Sequence, residues 1–177
     1  MSSEPEVKVL LSRQEIAATV NKMAADISRD YRDRNPLLIG ILKGSFIFLS
    51  DLVRQLDFPL EIDFVAISSY GRGRTTPGEL KVLHRLKSPI KGRHVVVVED
   101  IVDTGLSLAF LMGYLGKRKP ASLKLCVFAD KPSRRRVPVT IDYPGVTVPD
   151  KFIVGYGLDW DEKYRNLPDL SYIEPIR

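Results

Sequence analysis

Residues 95–98 are four consecutive valines, followed at once by Glu99 and Asp100 and then by Asp103-Thr104-Gly105-Leu106-Ser107. Four branched apolar side chains in a row leave a strand no polar face. Such a run belongs in a strand covered on both sides, as at the centre of a parallel sheet. The apolar ribbon therefore delivers two adjacent carboxylates, and the next residues open a helix at 106–115. In open α/β sheets, ligands bind beyond the carboxyl ends of the strands. Chemistry is expected at this junction.

The rest of the chain agrees with that architecture. Ser12-Arg13-Gln14-Glu15 has the pattern of a capping box, in which serine and glutamate satisfy free N–H groups reciprocally. Ile16, Val20, Met23, Ile27 and Tyr31 then recur at helical spacing, and Pro36 marks the stop. Residues 37–42 form a second continuous apolar run, broken by Lys43-Gly44-Ser45, and 46–56 read as a helix. Strands are expected at 60–68 and, as the return arm of a hairpin, at 80–86. The polar segment 69–79 between them reads as a mobile loop that acts as a lid. A strand at 122–128 leads into a basic turn, 130–136. Short strands with Pro138, Pro144 and Pro149 follow, then 151–155 and an irregular tail. Alternating strands and helices predict an α/β fold with a mostly parallel central sheet flanked by helices. The first ten and last thirty residues break the alternation and are expected to form a small lobe.

At 177 residues the chain is expected to be one domain, long enough to bury about 70% of its unfolded surface without staples. Cys126 is the only cysteine, which excludes an internal disulfide framework or a CxxC pair and predicts a cytoplasmic protein. The acidic, polar N-terminus lacks the pattern of a signal peptide. The most apolar stretch, 37–53, is interrupted by Lys43, Ser50 and Asp51, so no membrane role is expected. A net charge of +5 fits an anionic substrate, nucleic acid or a solvated basic surface.

Backbone N–H groups at the start of the 106–115 helix, with the hydroxyls of Thr104 and Ser107, suit a phosphate. Gly105 removes a side chain that would obstruct close approach. Carboxylates repel phosphate, so Glu99 and Asp100 must face something else, such as sugar hydroxyls or Mg2+, which prefers oxygen ligands. The plainer alternative is that Asp103 and Thr104 only cap the helix. Competing nucleotide motifs fail. Gly73 to Gly78 has Walker-type glycine spacing, but Glu79 and Leu80 follow where Lys and Ser/Thr are needed. His84 and His94 have no ligand partners at metal spacing and read as structural, as does Cys126.

Residues 95–108 resemble the phosphoribosyl-pyrophosphate (PRPP) fingerprint of the type I phosphoribosyltransferases. Four further motifs extend the resemblance over nearly the whole chain: Leu42-Lys43-Gly44-Ser45, Ser69-Tyr70-Gly71, Asp130-Lys131-Pro132-Ser133, and 149–159 followed by Tyr164-Arg165. The last two are similar to the 6-oxopurine branch of the family, and the whole resembles its hypoxanthine-guanine members most.

The resemblance implies a type I phosphoribosyltransferase fold over 1–177, with a core at about 12–148 and a hood built from about 1–11 and 149–177. It implies transfer of ribose 5-phosphate from PRPP to hypoxanthine or guanine, giving IMP or GMP plus pyrophosphate, with Mg2+ as cofactor. Asp103, Thr104, Gly105, Leu106 and Ser107 would hold the 5-phosphate, Leu106 without a role for its side chain, and Glu99 and Asp100 the ribose hydroxyls. Lys43, Gly44 and Arg165 would receive pyrophosphate, with a cis peptide expected at Leu42–Lys43. Asp103 would also accept the purine N7 proton or hydrogen-bond to it. Lys131 would donate to the 6-oxo group, Phe152 would stack on the base, and backbone carbonyls near Ile153 and Asp159 would read its edge. Glu99, Asp100 and Asp159 are the implied metal ligands. Ser69 and Tyr70 lead the lid, where Arg72 and Arg74 attract PRPP or are simply solvated. The arginines Arg134, Arg135 and Arg136 read as a solvated turn. Relatives are dimers or tetramers, so a homodimer or homotetramer is expected, without nucleic acid. The sequence departs from many relatives at Ser107, where they carry Thr, and at Trp160, where they carry Tyr. Two alternatives remain: a xanthine-preferring enzyme, and a nucleotide-sensing regulator of the same fold that binds nucleic acid.

Overall fold

The computed structural model describes residues 6–70, 79–84 and 86–174, with the backbone alone at 69, 70 and 79. Thirteen elements follow in chain order: β1 (Glu6–Leu11), α1 (Arg13–Tyr31), β2 (Leu37–Leu42), α2 (Phe46–Val53), β3 (Glu61–Tyr70), β4 (Glu79–His84), β5 (His94–Val102), α3 (Leu106–Gly116), β6 (Ser122–Asp130), a 3-10 turn (Pro132–Arg134), β7 (Tyr143–Thr147), β8 (Phe152–Val154) and β9 (Leu170–Glu174). Six strands form one sheet in the order β4-β3-β2-β5-β6-β7. All its pairings are parallel except β3 with β4.

The valine run lies in β5, between β2 and β6, and all four valines are fully buried. Because strand side chains alternate in direction, Val96 and Val98 enter the core under α1 and α2 with Met23, Phe48 and Phe128. Val95 and Val97 enter the opposite core with Leu108, Leu111 and Leu115 of α3. One short sequence thus supplies both layers.

Helix α1 starts as its sequence specifies. The Ser12 N–H donates to Glu15 Oε2 at 2.8 Å, and the Glu15 N–H to Ser12 Oγ at 3.4 Å. The other helix of this layer, α2, stops at Val53, earlier than the expected residue 56. Gln55 and Leu56 bond three residues back, to the Leu52 and Val53 carbonyls, and this tighter turn carries Leu56 into the core. Pro144 sits in β7, an edge strand, where a missing N–H costs no ladder bond.

A second, three-stranded antiparallel sheet has the order β1-β9-β8. The tail expected to be irregular therefore contains the central strand of this sheet. Its five residues pair with β1, more than 150 positions earlier, at Glu6↔Glu174 through Leu11↔Leu170. Ile153, Leu158 and Leu170 join the core of α1 and α2, so the two sheets share apolar packing. Ser69 and Tyr70, expected to lead a lid, end β3, where their backbones pair with Leu80 and Glu79. Arg72, Arg74 and the rest of 71–78 lie outside the described residues.

Candidate active site

Parallel pairing brings the carboxyl ends of β2, β5 and β6 to one edge of the large sheet. Two cavities open there. One, of about 340 Å3, is lined by Lys43, Gly44, Glu99, Thr104, Gly105, Ser107 and Arg165. The other, of about 350 Å3, is lined by Lys131, Phe152, Ile153 and Leu158. Asp100, Ile101, Asp103 and Asp159 belong to both. The two cavities share one acidic wall.

The segment entering α3 lines the first cavity and has carbonyls tied back to the protein. The Arg136 and Val137 N–H groups donate to the Thr104 carbonyl at 2.9 and 3.3 Å, and Arg135 Nε donates to the Asp103 carbonyl at 3.2 Å. The first N–H groups of a helix have no intrahelical acceptor. Gly105 is the N-cap, with φ +82° and no side-chain cap. Thr104 Oγ1 accepts from the Leu106 N–H at 3.4 Å, whereas the Asp103 side chain caps nothing. The reason for glycine at 105 also differs from the expected one. Besides its left-handed backbone, an added Cβ would lie 2.9 Å from Val139 Cγ2 and 3.0 Å from Arg135 Cδ, on the protein side of the loop.

Asp103 Oδ1 is buried without a hydrogen-bond partner among the described residues. Its carboxylate lies on the wall between the cavities with an acceptor unused. Glu99 Oε1 accepts from the Asp100 N–H at 3.1 Å, and Asp100 Oδ1 from the Ile101 N–H at 2.7 Å. Burial, and then the neighbouring Asp100 carboxylate, push the Glu99 carboxyl well above the usual range.

Gly44 packs directly on Asp100, so that a Cβ on Gly44 would overlap Asp100 Oδ2. Gly157 in turn packs on Gly44; its Cβ would overlap the Gly44 carbonyl, and its φ is +101°. Just before this contact, the Leu42–Lys43 peptide is cis. The exposed Lys43 Nζ donates to Glu162 Oε2 at 2.9 Å. Arg165 donates from Nη1 to the Gly157 carbonyl at 2.9 Å and pairs through Nη2 with Asp159 Oδ1 at 2.8 Å. Arg165 Nε is buried and unpartnered among the described residues.

In the second cavity Lys131 is 6% exposed, and its Nζ donates to the Lys151 carbonyl at 2.8 Å. An ammonium has three donors, so two remain for a ligand. Phe152 is 53% exposed while Ile153 and Val154 of the same strand are buried. The basic turn is only partly solvated. Arg134 pairs with Asp150 at 2.6 Å, but Arg135 is half-buried, donating to Asp130 Oδ1 and to the Asp103 carbonyl. His94 hydrogen-bonds Ser122 Oγ at 2.8 Å, away from both cavities.

The fit to Mg2+ follows from the donors. No cluster of three or more His, Cys, Asp or Glu is present among the described residues, so this is not an all-protein cage. Mg2+ characteristically keeps waters and takes one or two carboxylates together with substrate phosphates. Glu99 and Asp100, adjacent carboxyl groups on the wall of the first cavity, fit that mode. Asp159 already uses one oxygen on Arg165 and the other on the Glu162 N–H, at 2.9 Å.

Three contributors were not apparent from sequence. Gly157 had only its place in the Gly155-Tyr156-Gly157 stretch, Arg135 was one of three adjacent arginines, and Glu162 carried no signal.

Comparison with known proteins decides the family. Residues 6–161 match the profile described as phosphoribosyl transferase domain. The chain belongs to the phosphoribosyltransferase family. It is 42% identical over 168 residues to the hypoxanthine-guanine phosphoribosyltransferase of Bacillus subtilis, covering 95% of this chain and 93% of that one. It is 44% identical over 170 residues to the Aquifex aeolicus protein of that name, covering 96% of each. A crystal structure of a hypoxanthine-guanine phosphoribosyltransferase from Bacillus anthracis superposes with a TM-score of 0.90 at 43% identity, covering 97% of this chain and 100% of that one. Among the curated relatives is also the longer bifunctional protein TilS/HprT of Listeria monocytogenes, of whose length this chain spans 26%. The α/β fold with its mostly parallel sheet is that of type I members of this family.

Proposed function

We propose that the chain is a Mg2+-dependent phosphoribosyltransferase of purine salvage, converting hypoxanthine or guanine and PRPP to IMP or GMP and pyrophosphate. The observation that carries this reading is the wall shared by the two cavities. A sugar phosphate in one and a planar base in the other would meet at Asp103.

As the bond from ribose C1 to pyrophosphate lengthens, positive charge grows on the sugar and negative charge on the leaving group. Positioning and electrostatic stabilisation are therefore the main demands. The Asp103 to Ser107 segment holds the 5-phosphate through N–H groups and the Thr104 and Ser107 hydroxyls. Glu99 and Asp100 take the ribose hydroxyls, directly or through the cation. Bound Mg2+ supplies positive charge to the pyrophosphate. Lys43, Gly44 and Arg165 receive that group as it departs, and Asp159 orients Arg165 and would help to hold the metal.

The purine nitrogen attacks C1, and the Asp103 carboxylate accepts the N7 proton or hydrogen-bonds to it. Lys131, a donor without acceptors, selects a 6-oxo over a 6-amino group. Phe152 stacks on the ring, and the carbonyls of Ile153 and Asp159 take the opposite edge. The lid led by Ser69 and Tyr70 excludes water during transfer. A cytoplasmic setting is supported by the single buried cysteine, and assembly as a homodimer or homotetramer rests on the family likeness.

The test supplies PRPP with hypoxanthine, guanine, xanthine or adenine, with and without Mg2+, and measures nucleotide formed. IMP and GMP formed only with Mg2+ is the expected result; no nucleotide from any base overturns the reading. Faster use of xanthine would identify a xanthine-preferring enzyme. Salt-dependent retention of nucleic acid on filters without turnover would identify a regulator.

A further inference from the structure

Glu162 has no part in the chemistry above, yet its carboxylate sits on both side-chain cations assigned to pyrophosphate. Oε2 lies 2.9 Å from Lys43 Nζ and 3.4 Å from Arg165 Nη2. One carboxylate oxygen thus bridges residues 119 and three positions away. Lys43 also holds the Glu162 carboxyl below its usual range.

The local backbone makes this placement specific. Reciprocal bonds between Trp160 and Lys163, at 3.1 and 3.0 Å, close a two-residue turn over Asp161 and Glu162. Both have left-handed φ, +53° and +61°. Such turns favour Asn-Gly or Asp-Gly, and glutamate is a poor choice for the second position. The Glu162 N–H donates to Asp159 Oδ2 at 2.9 Å, and Asp159 holds Arg165. Turn, carboxylate and both cations therefore form one unit. Turn chemistry alone does not account for a glutamate here, whereas its contacts with the cations do.

We infer that Glu162 is an internal stand-in for pyrophosphate: it neutralises and pre-sets Lys43 and Arg165 in the free site and yields them when a diphosphate enters. The inference rests on the proposed assignment of Lys43 and Arg165 to pyrophosphate. A diphosphate carries more negative charge than one carboxylate and wins both cations. The Lys43–Glu162 pair is 66% exposed on each side, so it parts readily. An anion that must be displaced weakens binding of the diphosphate end of PRPP and speeds release of product pyrophosphate. The purine cavity is untouched, since Glu162 does not line it.

The experiment is calorimetric titration of pyrophosphate with Mg2+ into the wild-type protein, Glu162→Gln, Lys43→Ala and the double variant, with KM values for PRPP and hypoxanthine alongside. Glu162→Gln is expected to tighten pyrophosphate binding and lower the PRPP KM by about two- to fivefold, as for loss of an exposed ion pair that competes with the anion. The hypoxanthine KM stays level, and the gain shrinks in the Lys43→Ala background. If Lys43→Ala weakens pyrophosphate binding but Glu162→Gln leaves it unchanged or weaker, this inference falls and the site assignment stands. If Lys43→Ala has no effect on pyrophosphate, the assignment falls and the inference with it.

Discussion

Gly44 and Asp100 are in such close contact that a single methyl group on the glycine would overlap the Asp100 carboxylate. The turn after β2 thereby fixes the position of a carboxylate at the end of β5. The carbonyl of Gly44 is itself covered by Gly157, so the glycine has no space to retreat. Gly44→Ala is expected to cost about 1–3 kcal/mol of stability, as overpacking does. It should also raise the KM for PRPP more than that for the purine. Urea unfolding and paired KM measurements check both; a neutral substitution would show that this contact is soft.

Asp103 has a buried, unpartnered oxygen on the wall between the cavities. Asp103→Asn keeps the shape and removes the basic oxygen. Turnover should fall by about 100-fold or more, the usual contribution of a proton-transfer group, with a much smaller change in either KM. Steady-state kinetics with hypoxanthine decide the matter, and unchanged turnover removes Asp103 from the chemistry.

Lys131 is buried with one donor committed to the Lys151 carbonyl. Lys131→Ala should lower kcat/KM for hypoxanthine and guanine by about 10- to 100-fold, the cost of losing a charged hydrogen bond. Any turnover of adenine by the protein should change little. Equal losses on all bases would mean that the lysine only supports the fold.

Arg135 spans the Asp130 carboxylate and the Asp103 carbonyl while its Cδ packs on Gly105. It holds the 103–107 segment, to which the proposed function assigns the 5-phosphate. Arg135→Ala should raise the KM for PRPP by about tenfold, matching loss of a charge-assisted hydrogen bond, and leave purine KM nearly unchanged. Arg135→Lys, which keeps charge but cannot make both contacts, should recover only part. Loss of purine and PRPP affinity together would contradict this division.

At the start of α1, the Ser12 hydroxyl and N–H hold the Glu15 carboxyl below its ordinary value. A lowered folded-state value stabilises the protein above the unfolded value and is lost as pH falls through the folded one. The stability gap between the wild-type protein and Glu15→Gln should thus narrow as pH drops below about 4.5. Ser12→Ala should cost about 1 kcal/mol at neutral pH. Chemical denaturation across that range tests both; a gap independent of pH would separate the cap from Glu15 ionisation.

Much of this molecule is written locally. The valine run, the periodic apolar face of α1 and the Ser12–Glu15 box each report how one element meets the core, because burial imposes a period of 2 or 3.6 on neighbouring residues. The hydroxyl and glycine pattern of 103–107 is local too, since a few consecutive N–H groups suffice to make a phosphate cradle. These features specified the α/β class and the end of the sheet that carries the cavities.

Other features needed the folded chain. β9 is five residues long, and its partner β1 lies at the other end of the sequence, so no local period marks it. Arg135 was indistinguishable from Arg134 and Arg136 until one of the three was found half-buried against Asp103 and Asp130. The sequence by itself determined the central strands and α1, whose burial leaves a local period, and which residue types stand at their ends. Tertiary structure decided that Gly44 must be bare for Asp100, that Gly157 must be bare for Gly44, and that Glu162 meets Lys43. Those contacts join residues tens to more than a hundred positions apart, and only the crossing of strands in space brings them within reach.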